Sequence, residues 1–141
     1  MIELELARES DCISIFDKLL QLQAKSPAPQ MALCEPDVAY RHLKQAVREG
    51  RLYLFGDYAI LVDIGSPWHT TRRVLIEEII LRFRSVNKNS VESAIEQLSI
   101  IAKVRGCAAV AAGDTQIGLM SPRYIAAGFQ PLGTQFYKGI S

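Results

Sequence analysis

One run constrains this chain more than any other: RVLIEEIILRF, residues 73–83, followed within seven residues by a long amphipathic stretch. Branched apolar residues dominate the run, which predicts a strand covered on both faces in the middle of a sheet. The stretch at 90–105 places Val91, Ala94, Ile95, Leu98, Ile101 and Ala102 on one side, with Gly106 just beyond. That is helical spacing closed by a glycine stop. A covered central strand feeding directly into a helix belongs to an α/β domain.

The remaining segments fill in that plan. IELELA at the N-terminus alternates apolar and acidic residues, as a half-buried strand does. Ser10 can cap a helix whose inward face is Ile13, Phe16, Leu19 and Leu20, and the prolines of KSPAPQ end it. Asp37 opens a second helix with Ala39, Leu43, Ala46 and Val47 inward and Gly50 as its stop. RLYLF and YAILVDI, joined by Gly56-Asp57, predict a hairpin. CAAVAAG predicts a short buried strand, LMSPRYIAAG a short helix, and GTQFYKGI a last strand. The expected order is β-α-α-β-β-β-α-β-α-β, in one domain over residues 1–141.

Charge and composition narrow the function classes. A net charge of +1 gives no electrostatic footprint for nucleic acid, and none is expected as a partner. The acidic N-terminus lacks the basic start of a signal peptide, and no apolar run reaches membrane-spanning length. A cytoplasmic protein without a membrane partner is the expectation. Cys12, Cys34 and Cys107 have no metal-ligand spacing and sit beside apolar residues, so buried thiols and no metal are expected.

The element order and three motifs together resemble the GNAT-type N-acetyltransferases. AIEQLSIIAKVRGCAAVAAGD is similar to the core helix of that family, its closing Gly-Cys and the strand after it. RYIAAGF is similar to a Tyr-x-x-x-Gly-Phe signature, with Tyr124 four residues before Gly128, and QPLGTQFYKGI to the closing strand segment. The resemblance implies a mixed, mostly antiparallel sheet with a splayed central strand pair. It also implies acetyl-CoA as acetyl donor and a small-molecule or peptide amine as acceptor, and it allows a homodimer.

The resemblance departs from the family in the loop RFRSVNKNS. Family members carry Arg/Gln-x-x-Gly-x-Gly/Ala there to hold the coenzyme A pyrophosphate, and the matching positions are Val86-Asn87-Lys88-Asn89-Ser90-Val91. The glycines are gone. Asparagine is the residue that best replaces glycine at positive φ, so Asn87 and Asn89 can shape a cradle, with Lys88 and Arg84 as cations. Asn89 can also cap the helix, with Glu92 completing a capping box. A polar cap-and-turn without ligand explains the same residues.

The resemblance implies a cofactor cradle from Leu81 to Val91, including Phe83, Asn87, Lys88, Asn89 and Ser90, with Leu81 near the splay. Glu77 and Glu78 are adjacent, so period-two geometry puts them on opposite faces of the strand. Glu77 would share its face with Leu75, Ile79 and Leu81, and Glu78 with Val74, Ile76 and Ile80. An enclosed carboxylate with a raised pKa suits proton abstraction from an ammonium, whereas an ion pair with Arg72 or Arg73 is its structural counterpart. Tyr124 stands where the family places the acid that protonates the departing thiolate; packing is the alternative. Ile117 occupies a position that is often Asn. Trp68, His69, Asp114 and Thr115 are loop residues that an acceptor or a turn could use. Two functions remain open: an N-acetyltransferase, or a catalytically inactive GNAT-like interaction module.

Overall fold

The computed structural model describes residues 1–25, 33–113, 120–133 and 136–140. Within them the chain runs β1 (Leu4–Leu6), a 3-10 turn (Glu9–Asp11), α1 (Cys12–Gln23), α2 (Pro36–Arg48), β2 (Leu52–Phe55), β3 (Tyr58–Gly65) and β4 (Val74–Arg82). It continues through α3 (Val91–Val104), β5 (Ala109–Ala111) and α4 (Ser121–Ala126). The sheet order is β1-β2-β3-β4-β5; the first three pairings are antiparallel and β4-β5 is parallel.

Each face of the sheet carries its own core. Ile60, Val62 and Leu75 pack with Ala94, Ile95, Leu98 and Ile101 of α3 and with Tyr124 of α4. Leu52, Leu54, Leu61 and Leu81 pack with Ile15 of α1 and with Leu43 and Ala46 of α2. The central run is therefore covered on both sides, as its composition predicts, although Ile76 remains 40% exposed. β5 lies at the end of the sheet, which leaves Ala109 exposed and Val110 and Ala111 half-buried rather than buried as expected.

The helices begin and end for local reasons. Ser90 caps α3, its side chain accepting from the Ser93 N–H at 3.2 Å. At the other end the Cys107 N–H reaches the Ala102 carbonyl and the Gly106 N–H the Lys103 carbonyl, a Schellman closure with Gly106 at φ +71°. α1 differs from its expected face. The 3-10 turn, tied by the Arg8 N–H to Asp11 Oδ2, rotates the helix so that Cys12 and Ile15 are buried and Ile13 is 53% exposed. Of the three cysteines only Cys12 is buried.

Two expectations at the chain's end fall partly outside the described residues. Asp114, Thr115 and Ile117 lie outside them, as does most of KSPAPQ. For the expected closing strand at 133–140, residues 134 and 135 lie outside, and 136–140 carry no strand pairing and are exposed.

The β2-β3 turn fits against the β4-α3 loop. Gly56, at φ +59°, takes the positive φ that a type II′ turn requires at its first central position. A Cβ on Gly56 would collide with the Asn89 amide, so glycine here serves both turn and packing. Gly56→Ala should destabilise the fold by about 2–4 kcal/mol, summing left-handed strain and the loss of Asn89 hydrogen bonds. Urea unfolding checks this, and a loss below about 0.5 kcal/mol, the ordinary surface range, would contradict the fit.

Candidate active site

The site is built around the point where β4 loses its neighbour. β4 and β5 pair only through Val74–Ala109, Leu75–Val110 and Ile76–Ala111, while β4 continues to Arg82 against β3 alone. Beyond Ile76 one edge of β4 therefore has no strand beside it among the described residues. The splay opens at Glu77, earlier in the strand than Leu81.

A β-bulge follows at once. Leu61 opposes Ile79 and Val62 opposes Glu77, leaving Glu78 as the extra residue. The bulge breaks strict alternation, so the expected face-mates change: Leu75 and Ile80 join the α3 core, whereas Ile79, Leu81 and Phe83 join the α1-α2 core. Beyond the bulge the Phe83 N–H bonds the Asp57 carbonyl, which fixes the ladder phase. Leu81 and Ile79 then bond β3, and the N–H groups of Ile80 and Arg82 face the open edge.

Glu77 and Glu78 do flank the strand. Glu77 Oε2 accepts from the Gly113 N–H at 3.4 Å, and its carboxylate is also hydrogen-bonded by the Tyr124 side chain. Tyr124 is buried at 8% exposure and stacks edge-on against Phe129, 5.4 Å between centroids. Burial raises the Glu77 pKa to about 7; the Gly113 and Tyr124 hydrogen bonds pull the other way, and the Glu78 charge adds to the rise. Neither Arg72 nor Arg73 pairs with it among the described residues.

Glu78 projects to the other face, with Oε2 3.4 Å from His42 Nε2 of α2. The pair sits on the wall of a largely apolar groove of about 350 Å³ bounded by Leu19, Val38, Leu43 and Ile79. His42 carried no recognisable motif in the sequence, because its partner lies across the α2-β4 contact. Trp68 is 96% exposed and stacks only on its neighbour His69.

The β4-α3 loop is built differently from its expected form. Its one left-handed residue is Lys88, at φ +55°, rather than Asn87 or Asn89. The helix cap is Ser90, because Asn89 turns inward: its Oδ1 accepts the Asp57 N–H at 2.8 Å and its amide donates to the Phe55 carbonyl at 3.1 Å. The N–H groups of Val86, Asn87 and Lys88 all donate to the Asp57 carboxylate, at 2.9, 2.8 and 2.6 Å. Asp57 is fully buried. Burial alone would raise its pKa, but the three backbone hydrogen bonds and nearby Arg82 more than offset this and hold it below the usual carboxylate value. Arg84, one of the two expected phosphate cations, donates two contacts to the Gly56 carbonyl, and Arg82 donates to Tyr58 Oη and the Asn89 carbonyl. Leu81 and Phe83 pack into the α1-α2 core, and Val91, the first residue of α3, is half-buried against the core on the other face.

No protein-family model matches the sequence, and no curated protein matches it. Solved structures do. A GCN5-related N-acetyltransferase from Ralstonia eutropha JMP134 superposes with a TM-score of 0.70 at 15% identity, covering 99% of each chain. A predicted acetyltransferase with acetyl-CoA from Clostridium acetobutylicum gives 0.66 at 17% identity, over 99% of this chain and 96% of that one. An acetyltransferase from Trypanosoma brucei gives 0.63 at 20% identity, over 99% and 100%.

Glu77 generates a prediction independent of any ligand. A carboxyl whose folded pKa is raised from 4.5 to about 7 favours the neutral form. The fold is then most stable below pH 4.5 in this respect and loses that stability as pH rises through 7. Glu77→Gln should match the wild type near pH 4.5 and exceed it at pH 8 by on the order of 1–3 kcal/mol. Thermal unfolding across pH reads this directly, and a pH-independent difference would contradict the burial.

Superposition over nearly the full length of each of these chains, with the parallel β4-β5 pair parting at Glu77, identifies the fold as that of the GNAT-type acyl-CoA N-acyltransferases.

Proposed function

We propose that this chain is an N-acetyltransferase that moves an acetyl group from the thioester of acetyl-CoA to an amine. The observation that carries the reading is the Glu77–Tyr124 pair at the point where β4 and β5 part. A surface module has no use for a half-buried carboxylate of raised pKa hydrogen-bonded to a phenol, whereas acyl transfer to an amine needs both groups.

The chemistry follows from proton bookkeeping. An ammonium acceptor must lose a proton before its nitrogen lone pair attacks the carbonyl carbon, and Glu77, with a pKa of about 7, is matched to accept that proton near neutrality. The outward N–H groups of Ile80 and Arg82 are suited to stabilise the carbonyl oxygen as it gains charge. When the carbon–sulfur bond breaks, the Tyr124 hydroxyl supplies the thiolate's proton. Glu77 then returns a proton to the phenolate through their hydrogen bond, so the net transfer is from amine to thiol. Glu78, His42 and the apolar groove on the opposite face are the surface we assign to the body of the acceptor, either a small molecule or a peptide, whose amine reaches Glu77 past the edge of β4 beyond Ile76.

Release of free thiol from acetyl-CoA in the presence of a panel of primary amines tests the reading. Glu77→Gln should lower kcat/KM by about 10²–10⁴-fold, the usual range for a lost general base, and abolish an ascending limb near pH 7. Tyr124→Phe should lower kcat with KM little changed. A Glu77→Gln variant with wild-type turnover and pH profile would overturn the assignment.

A further inference from the structure

The acyl-donor site has two halves, and only one of them is free. Around Glu77 and Tyr124 the outward N–H groups of Ile80 and Arg82 line an open strand edge. In the β4-α3 loop, three consecutive N–H groups converge as they do in an anion-binding nest, but the anion they hold is the chain's own Asp57 carboxylate. That carboxylate is fully buried and anchored by the turn carrying it, because Asn89 accepts the Asp57 N–H and packs on Gly56.

The remaining groups that could meet a diphosphate are partly engaged within the chain. The guanidinium groups of Arg82 and Arg84 are bonded to the Asn89 and Gly56 carbonyls. The first turn of α3 is capped internally by Ser90 and carries Glu92, whose carboxylate pairs with Arg123 at 2.9 Å. A diphosphate at the loop would find its three N–H groups taken by Asp57 and the Glu92 carboxylate at the helix start, with the Lys88, Arg82 and Arg84 side chains as the cations beside it. A pantetheine arm is uncharged and amide-bearing, so it can pair along an open strand edge as an added strand does, and none of these groups oppose it.

We propose that this chain recognises its donor by the acyl-pantetheine arm, and that the coenzyme A diphosphate contributes little because Asp57 already occupies the loop N–H groups that would hold it. The inference rests on the acyl-transfer reading above and narrows its donor class. The acyl-pantetheine arm can come from coenzyme A or from the 4′-phosphopantetheine of a carrier protein.

Equilibrium titration of the wild-type protein with coenzyme A, 4′-phosphopantetheine and pantetheine tests it. The expected dissociation constants lie within about tenfold of one another, whereas a loop making several charge-assisted bonds to a diphosphate would separate them by at least about a hundredfold. That larger separation would overturn the inference and leave acyl transfer standing. No binding by any of the three up to millimolar concentration would instead overturn acyl transfer itself, and the inference with it. Among supporting results, tighter binding of a holo acyl carrier protein than of coenzyme A, with no binding by its apo form, would name the carrier as source; parity or the reverse would name the coenzyme.

Asp57→Ala provides a second readout. With the carboxylate gone, inorganic pyrophosphate should raise the variant's melting temperature and leave the wild type unmoved, and coenzyme A should gain on pantetheine. Pyrophosphate stabilising the wild type equally would overturn the inference. If Asp57→Ala does not fold, the wild-type ligand series decides alone.

Discussion

The Asp57 carboxylate ties the β2-β3 turn to the loop between β4 and α3 through more backbone hydrogen bonds than any other side chain there among the described residues. It sits in the β2-β3 turn and accepts three backbone N–H groups from the segment between β4 and α3. Buried N–H groups without partners are costly, so a glycine-free loop this close to a core needs an internal acceptor. The carboxylate meets that need, and Asn89 reciprocates by accepting the Asp57 N–H. This cross-tie fixes where α3 starts. α3 supplies Ala94, Ile95, Leu98 and Ile101 to the larger core, and its placement there positions the crossover to β5.

A second constraint acts within β4. Because β5 pairs with only its first three residues, the strand beyond Ile76 has one edge with no strand beside it among the described residues. The bulge at Glu78 lies immediately past that point and puts Ile79 on the same face as Glu78, while Glu77 points to the other. Glu77 meets Tyr124 and Gly113 in a partly enclosed setting, and Glu78 meets His42 beside an apolar groove. Strand alternation and the bulge together thus set both proposed halves of the chemistry, proton transfer on one side and contact with the body of the acceptor on the other.

Local patterns in the sequence were strong where spacing alone carries the signal. α3 appears with the expected inward residues and glycine stop, and the hairpin around Gly56-Asp57 forms where two strand-like runs meet a two-residue turn. The opposite facing of Glu77 and Glu78 was legible from period two, but their face-mates were not, because a bulge depends on the partner strand's register. The loop was legible as the place where the sequence departs from the GNAT pattern it resembles, yet its geometry was misjudged. Asparagine's tolerance of positive φ is a local preference, and here hydrogen bonds to a turn some thirty residues earlier drew Asn89 inward and left Lys88 at φ +55°. Asp57 itself read only as a turn residue, since nothing local in the sequence shows which loop a turn will face.

The sequence by itself determined the order of elements through α4, the covered central strand, the inward faces of α2 and α3 and the candidates Glu77, Glu78 and Tyr124, because hydrophobic period and motif spacing are encoded within short windows. Tertiary structure alone decided that Glu77 and Tyr124 meet, that Glu78 finds His42, and that the loop N–H groups are held by Asp57. These contacts bring together residues separated by some thirty to fifty positions. Their existence depends on strand register and on where two strands stop pairing, which only the assembled sheet sets.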